Sequence, residues 1–290
     1  MNTCPWCGTP SDKLHLKLKD YFLSKEDFEI MECPQCGLLY TIPRPSPDEI
    51  GKYYKSDEYY SHQQNQKGFI PRIYEKVKTI NLKHKVSLAI DGLPQGKLLD
   101  IGCGVGDFLV QVKKQDWETA GIEPSDDAKK IAQTRLGFVP LAPSESISLP
   151  DCSFDVITLW HVLEHIDDLK FQTSEIYRLL KPNGRLVIAL PNYQSFDCQY
   201  YKDKWAAWDV PRHLNHFSPE TLRSIISSLD FQYIDTQKLI WDAYYISFMS
   251  ERYLENALPL LRGACVGLRS NLKARSSGMY SSLVYRFQKN

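Results

Sequence analysis

The sequence predicts a doubly wound α/β domain with a small, cysteine-rich unit in front of it. Three observations support this prediction. Short apolar segments alternate with helical segments from about residue 96 onward, as in a parallel sheet whose strands are joined by helices. The apolar segment at 98–101 leads into a turn with glycine at 102, 104 and 106, and a helix follows that turn. The motif C-P-x-C-G occurs twice before residue 38.

Composition limits the class of protein. The chain has 290 residues, of which 43% are hydrophobic, so a large core can form. The formal net charge is zero, which argues against a protein devoted to nucleic acid, since phosphate binding usually requires a basic surplus. The sequence contains no run of about 18 apolar residues, and the first residues, MNTC, do not resemble a signal peptide. We therefore expect a reducing, cytoplasmic setting, in which the cysteines are metal ligands or buried thiols.

Four of the eight cysteines form a repeated pattern. Cys4-Pro-Trp-Cys7-Gly and Cys33-Pro-Gln-Cys36-Gly each place two sulfur atoms within reach of one ion, and the glycine permits the tight turn that this requires. Two redox C-x-x-C motifs are the alternative interpretation. The duplicated spacing favours a structural Zn²⁺ held by four thiolates, because a segment this short cannot form its own core. Residues 1–45 are predicted to be a zinc-ribbon-like segment.

Residues 46–95 are predicted to form a helical linker or lid. Apolar residues recur at roughly helical spacing over 71–90, and Gly92 and Pro94 then end the helix. Tyrosines at 53, 54, 59 and 60 precede that helix. A helix packed on the following domain is the simplest interpretation, and a tyrosine cluster that covers a ligand is the alternative.

The glycine-rich turn carries the main indication of function. A strand, a turn and a helix in this order aim free backbone N–H groups at a ligand. The spacing is G-x-G-x-G rather than the G-x-G-x-x-G of dinucleotide-binding proteins, because residue 107 is aspartate. Asp100, two residues before Gly102, would repel a pyrophosphate but suits the ammonium group of S-adenosylmethionine. Glu123 ends the next apolar segment, at the position that binds ribose hydroxyls in nucleoside sites of this type.

Four motifs in order resemble the class I S-adenosylmethionine-dependent methyltransferases. They are D-I-G-C-G-x-G, G-I-E-P, S-F-D-V-I-T-L-W-H-V-L-E-H and L-K-P-N-G-R-L-V-I-A-L-P-N, within about 96–235. The resemblance implies a Rossmann-like core with a seven-stranded sheet over residues 96–290. It also implies that residues at about 241–278 are an insertion between the last two strands.

The resemblance further implies a cofactor site for S-adenosyl-L-methionine. Asp100 would hold the methionine ammonium group, and Glu123 would bind both ribose hydroxyls. The turn backbone would lie under the methionine and the ribose, a later loop would lie near the adenine, and the end of the fourth strand would face the methyl group. The residues implied in these places are Gly102, Cys103, Gly104, Gly106, Ser144, Glu145, Trp160 and His161.

The segment RHLNHFSPETL at 212–222 is the candidate acceptor site. It is similar to E-H-L-S-Y-F-S of sugar C-methyltransferases, in which the histidine matches His213. A hydroxyl or carbon acid needs a base to remove its proton, and histidine has a suitable pKa. His213 is therefore the first catalytic candidate, with His165 and His161 as alternatives, unless these histidines only stabilise the loop. A metal site at this segment is not expected, because no carboxylate or cysteine lies there at ligand spacing.

Three functions remain open at this stage. The first is methylation of a small-molecule acceptor, at oxygen or carbon of a sugar, quinone or similar metabolite, without nucleic acid. The second is an RNA methyltransferase whose zinc ribbon holds RNA, and the third is a non-catalytic S-adenosylmethionine-binding module. The aromatic residues Trp241, Tyr244, Tyr245 and Phe248 belong to a packing helix or, alternatively, to a membrane-surface contact.

Overall fold

A computed structural model describes residues 2–46, 48–54 and 69–290, and from 69 to 76 it describes the backbone only. Tyr59 and Tyr60, two of the tyrosines in the predicted cluster, lie outside the described residues. The N-terminal unit contains five short strands: β1 (Asn2–Thr3), β2 (Pro10–Ser11), β3 (Leu14–Lys19), β4 (Asp27–Glu32) and β5 (Leu39–Ile42). Strands β3, β4 and β5 form an antiparallel meander, as the alternation in LHLKLK predicts for β3.

The larger domain alternates strands and helices. Its strands are β6 (Lys97–Ile101), β7 (Glu118–Ile122), β8 (Phe154–Trp160), β9 (Leu180–Pro191), β10 (Asn215–His216), β11 (Phe231–Lys238) and β12 (Ser282–Lys289). The helices are α1 (Phe69–Ile90), α2 (Asp107–Lys113), α3 (Asp126–Leu136), α4 (Leu169–Leu179), α5 (Phe196–Tyr201), α6 (Pro219–Ser227), α7 (Asp242–Tyr253) and α8 (Pro259–Ser277).

The central sheet confirms the predicted fold class. Its order is β11-β12-β9-β8-β6-β7, with β7, β6, β8 and β9 parallel and β12 antiparallel to both of its neighbours. The sheet is covered on both faces, so its central strands consist almost entirely of buried apolar residues. The carboxyl ends of the parallel strands share one edge, which is where ligands bind in open sheets of this kind.

The predicted count of seven strands is wrong for the described part of the chain, where the central sheet has six. In place of a further edge strand, Leu141 makes an isolated parallel bridge to Ile122. Leu141 donates to the Gly121 carbonyl at 2.9 Å, and its own carbonyl accepts from the Glu123 N–H at 2.9 Å. Pro140 and Pro143 flank this bridge closely, and a proline has no N–H to extend a ladder.

Residues 242–277 form the helical hairpin α7–α8 between the two antiparallel strands β11 and β12. The hairpin buries small residues where the helices meet, since an added Cβ at Gly263 would lie 2.7 Å from the backbone of Phe248. None of the helices in the described ranges is long and apolar enough to cross a membrane.

Candidate active site

The glycine turn at the end of β6 depends on left-handed backbone. Gly102, Gly104 and Gly106 have φ angles of 73°, 54° and 80°, which only glycine adopts at little cost. Space is also limited at the first of these positions, because a Cβ on Gly102 would lie 2.4 Å from the Val162 side chain. At Gly104 the same added atom would meet nothing within 4 Å. The turn therefore presents an open stretch of backbone, which a ligand can approach closely.

Asp100 lies directly before this turn and is 2% exposed. Its Oδ1 accepts a hydrogen bond of 2.6 Å from the Thr158 hydroxyl on the neighbouring strand β8. Burial raises the pKa of Asp100 to about 7, with the Thr158 hydrogen bond and Lys85 acting in the opposite direction. A buried carboxylate with so few partners fits a cationic ligand group, because a cation offsets its desolvation.

Glu123 follows β7 and reaches across to the same turn. Its Oε2 accepts from the Gly104 N–H at 2.8 Å, and its Oε1 accepts from the Ser125 N–H at 2.9 Å. Ser125 in turn caps α3, where its hydroxyl accepts from the Ala128 N–H. The structure thus brings Asp100, the glycine turn and Glu123 together at one sheet edge, and their side-chain chemistry suits an ammonium group and ribose hydroxyls.

Of three other predicted cofactor residues, Cys103 lies in the glycine turn, and Ser144 and Glu145 lie together in a later turn. The Cys103 side chain packs in the core, only 2.7 Å from where a Cβ on Gly121 would stand, so its backbone alone faces the turn. Ser144 and Glu145 lie in a 3₁₀ turn over Pro143–Ser148, which begins two residues after the Leu141 bridge. Glu145 closes that turn, since its Oε2 accepts from the Ala142 N–H at 2.6 Å.

Trp160 and His161 stand at the carboxyl end of β8, as expected, and the structure adds two partners. The Lys85 ammonium of α1 lies 4.8 Å from the centre of the Trp160 ring. His161 Nε2 lies 3.0 Å from Asp242 Oδ2, the first residue of α7. Burial alone would lower the pKa of His161, but the carboxylates of Asp242 and Glu164 raise it to about 9. Near neutral pH His161 is therefore a cation rather than a base.

His165 and His213 lie against each other, with ring centres 4.6 Å apart and an angle of 81° between the rings. His165 Nδ1 lies 2.9 Å from the Arg212 carbonyl oxygen, and His213 Nδ1 lies 2.9 Å from the Ala207 carbonyl oxygen. A carbonyl can only accept, so each Nδ1 carries a proton and each Nε2 has a lone pair. Burial and the neighbouring His213 lower the pKa of His165 to about 4.

The structure brings a carboxylate to this segment from another element, which the ligand spacing within the segment does not show. Glu164 is next to His165 in a 3₁₀ turn over Leu163–His165, and His213 packs beside both, although it is 49 residues from Glu164 in sequence. One ligand atom from each of the three lies within 4.8 Å of the others. Spacing within RHLNHFSPETL could not reveal this, because the carboxylate comes from another element.

His216, the second histidine of the segment, is placed as a packing residue. The Thr41 hydroxyl donates to the His213 carbonyl at 2.8 Å, so its oxygen accepts from His216 Nε2, which is 3.0 Å away. The His216 ring also lies edge-on to Trp208 at 5.2 Å. Burial holds the pKa of His216 well below its usual range, which keeps the ring neutral.

The N-terminal unit holds the acceptor segment directly. Strand β10 pairs with β5, so that the segment supplies the fourth strand of the ribbon's own sheet. The buried Asp20 accepts from Arg212 Nη2 at 2.9 Å, and Asp209 accepts from the same nitrogen at 2.7 Å. Arg44 donates to the Leu214 carbonyl at 3.0 Å. At the position where the similar motif of sugar C-methyltransferases has a glutamate, this chain therefore has Arg212, which pairs with two carboxylates.

The four predicted metal-ligand cysteines come together within the ribbon. Cys4 Sγ lies 3.6 Å from Cys36 Sγ, and Cys7 Sγ lies 3.4 Å from Cys33 Sγ. These distances are too long for disulfides but are close to the roughly 3.8 Å between sulfurs in a tetrahedral site with 2.3 Å zinc–sulfur bonds. Four thiols in this arrangement fit a zinc ion.

Comparison with known proteins assigns the family. A family model described as "Methyltransferase domain" matches residues 71–236, more than half of the chain. The chain therefore belongs to this methyltransferase family, and its fold is that of the class I S-adenosylmethionine-dependent members. The fold is similar to a crystal structure from Thermotoga maritima, titled a SAM-dependent methyltransferase and possible histamine N-methyltransferase. The TM-score is 0.51 and the sequence identity is 23%. The alignment covers 76% of this chain and 96% of that one.

Two curated relatives methylate different acceptors, according to their names. A demethylmenaquinone methyltransferase of Streptomyces avermitilis is 24% identical over 152 residues, which are 51% of this chain and 62% of that protein. A malonyl-(acyl-carrier protein) O-methyltransferase of Serratia marcescens is 28% identical over 130 residues, which are 44% of this chain and 50% of that protein. The chain thus spans 62% and 50% of the length of these two relatives.

Proposed function

We propose that this protein is an S-adenosylmethionine-dependent methyltransferase that methylates a hydroxyl or an acidic carbon of a small-molecule acceptor. The observation that supports this most directly is the pair of carboxylates, Asp100 and Glu123, on either side of the open glycine turn. When bound, S-adenosylmethionine supplies an electrophilic methyl group on a sulfonium sulfur. Asp100 would pair with its ammonium group, Glu123 would accept from its ribose hydroxyls, and the turn backbone would face it.

Transfer of a methyl group from a sulfonium is a direct displacement, so the protein must align the acceptor and remove its proton. We infer that deprotonation depends on His213, whose Nδ1 proton is committed to the Ala207 carbonyl and whose Nε2 is therefore able to take a proton. His161 is less suited to this role, since its pairing with Asp242 keeps it protonated. His165 lies against His213 and orients it.

A small acceptor is favoured over RNA by the charges on the ribbon. Three lysines of the ribbon each pair with a carboxylate on β4, so that face carries little net positive charge for phosphate. The pairs are Lys13 with Glu32 at 2.8 Å, Lys17 with Glu29 at 2.8 Å and Lys19 with Asp27 at 3.5 Å. The buried histidine cluster also favours an enzyme. A module that only holds the cofactor would not require these histidines.

We propose, in addition, that Cys4, Cys7, Cys33 and Cys36 hold a structural zinc ion. All four ligand positions of a tetrahedral site would be filled by thiolates, so none is left open for water or an acceptor. The ion would stabilise the ribbon, and through β5 it would support the acceptor segment.

The test of the proposed function has two parts. Calorimetry should show binding of S-adenosylmethionine or S-adenosylhomocysteine and none of NAD, whereas tight NAD binding would contradict the cofactor assignment. Transfer of a radioactive methyl group to extract fractions that contain either small metabolites or RNA then identifies the acceptor. Label in the metabolite fraction supports the proposal, and label that is found only in RNA overturns its acceptor class.

A further inference from the structure

The carboxylate of Glu164 is buried without a hydrogen bond. The residue is 1% exposed, and neither of its side-chain oxygens has a hydrogen-bond partner among the described residues. Its ion pair with His161 spans 3.6 Å, which is too long for a hydrogen bond. Buried carboxylate oxygens are expected to accept hydrogen bonds or to bind a metal, so the ion pair alone leaves both oxygens able to take a further ligand.

The two histidines beside Glu164 are oriented as metal ligands usually are. In metal sites the ring nitrogen that does not bind the ion normally donates to a backbone carbonyl or a carboxylate, which fixes the ring and its tautomer. His165 and His213 both do this through Nδ1, toward the carbonyls of Arg212 and Ala207. Each ring is left with its Nε2 lone pair for a further partner.

A small cavity lies beside Glu164 and His213. Its volume is about 10 Å³, and its lining includes Tyr193 and Trp205 but not His165. That volume holds roughly one water-sized group and no organic molecule. The partner that would satisfy the Glu164 carboxylate and the two imidazole lone pairs at once is a cation.

We propose that Glu164, His165 and His213 bind a divalent transition-metal ion of the kind that prefers two imidazoles and one carboxylate, such as Zn²⁺, Co²⁺ or Fe²⁺. One ligand atom from each residue lies within 4.8 Å of the others, and tetrahedral bonds of about 2.1 Å to the ion would draw these atoms to roughly 3.4 Å apart. Three protein ligands leave one or more positions for oxygen. This site is separate from the four-cysteine site and differs from it in having those open positions.

The role of the ion rests on the proposed function. A water molecule on the ion would lose its proton to solvent near neutral pH, and the resulting hydroxide would take the proton of an acceptor hydroxyl placed beside the cavity. An electron pair of the acceptor oxygen would then form the new bond to the methyl carbon while the carbon–sulfur bond breaks. The sulfur keeps that bond's electrons, and the products are the methyl ether and S-adenosylhomocysteine. His213 would thus promote deprotonation as a ligand of the ion.

The test uses Co²⁺ alone as the probe, with the full chain and no acceptor. Cobalt at thiolate ligands absorbs strongly in the near ultraviolet, and cobalt at nitrogen and oxygen ligands gives only visible bands, so the two sites are read separately. Wild-type protein should bind two ions per chain. Glu164→Gln and His165→Ala should each bind one ion, keep the thiolate band and lose the second set of visible bands.

Two control variants make the result specific. Cys33→Ser should lose the thiolate band, which assigns that band to the four-cysteine site, and His84→Ala, which removes an exposed histidine outside the cluster, should bind both ions. Circular dichroism and S-adenosylhomocysteine binding show whether each variant is folded. One ion in the wild type, or the same two ions in Glu164→Gln, would overturn the inference and leave His213 itself as the base. Loss of cofactor binding with both metal sites intact would instead count against the proposed function.

Discussion

The two halves of the candidate active site are built in different ways. The cofactor half is mostly local: the turn after β6 and the end of β7 hold Glu123 through backbone hydrogen bonds, and Thr158 of the neighbouring strand β8 is the one more distant partner named for it, through Asp100. In the acceptor half, Asp20 and Thr41 come from the ribbon, Glu164 comes from the 3₁₀ turn after β8, and His213 comes from a later loop. The first half is therefore determined by nearby sequence, and the second depends on several elements folding together.

Because the acceptor half depends on the ribbon, the largest effect is expected from loss of the four-cysteine site. Cys33→Ser should release the structural metal, lower the free energy of unfolding of the ribbon by several kcal/mol and abolish methyl transfer. Affinity for S-adenosylhomocysteine should stay within about threefold, because the cofactor half shares no ligand with the ribbon. Metal analysis, thermal denaturation and calorimetry measure the three quantities.

Cys265→Ser is the matched control, since Cys265 is exposed and lies outside the cluster. A Cys33→Ser protein that contains no metal, yet melts and turns over like the wild type, would show that the two halves are not coupled in this way.

The next prediction concerns a single side chain, His213, whose loss should affect the acceptor half and not the cofactor half. His213→Ala should lower turnover by roughly 10²-fold or more, the usual share of acid–base assistance. Cofactor affinity should stay within about twofold, because the residue acts only on the acceptor side. Steady-state rates with the acceptor identified by labelling, together with calorimetry, give both numbers. Unchanged turnover would place deprotonation elsewhere, and a parallel loss of cofactor affinity would mean that the halves are not independent.

The reciprocal substitution addresses the cofactor half. Glu123→Ala should weaken S-adenosylmethionine binding by about 1–3 kcal/mol, since the Gly104 and Ser125 N–H groups and the ribose hydroxyls lose their acceptor. Metal content should not change. Glu118→Ala is the control, because Glu118 is an exposed glutamate at the start of the same strand. Calorimetry that finds both variants equal to the wild type would remove Glu123 from the cofactor site.

The smallest effect concerns the contact between the helical hairpin and the site. The pKa of His161 is raised to about 9 beside Asp242, so this pair stabilises the fold fully below about pH 6.5 and loses that contribution as the pH rises through 9. Asp242→Asn should lower the melting temperature by about 2–4 °C at pH 6.5, and the difference from wild type should shrink by pH 9.5. Differential scanning measurements that find an equal difference at both pH values would contradict the pairing.

The same division explains what the sequence can predict. The glycine turn, Asp100 and Glu123 are recognisable because their roles follow from neighbouring residues and from strand ends, and each C-P-x-C-G pair is likewise local. The predicted seventh strand was wrong because Pro140 and Pro143 leave Leu141 as a single bridge. The resemblance implied seven strands without placing one at Leu141, where the two prolines do not permit a regular strand.

The missed residues share one physical cause. Lys85, Glu164 and Asp242 reach the site from a helix, a 3₁₀ turn and the hairpin, and no periodicity within those elements indicates where their side chains meet another part of the chain. His161 was expected at the methyl group, and in the structure it directly follows β8. Its charge, however, is set by Asp242, which lies 81 residues later in the sequence.

The pairing of β5 with β10 also affects how the chain is made. Thr41 and His216 are 175 residues apart, so a ribosome working at about 5–20 residues per second needs roughly 10–35 s to deliver the second partner after the first. During that interval the ribbon is complete except for its last strand, and β5 presents unpaired backbone groups that other chains can bind. The newborn protein therefore has a period of exposure to aggregation that ends only when the acceptor segment emerges from the ribosome.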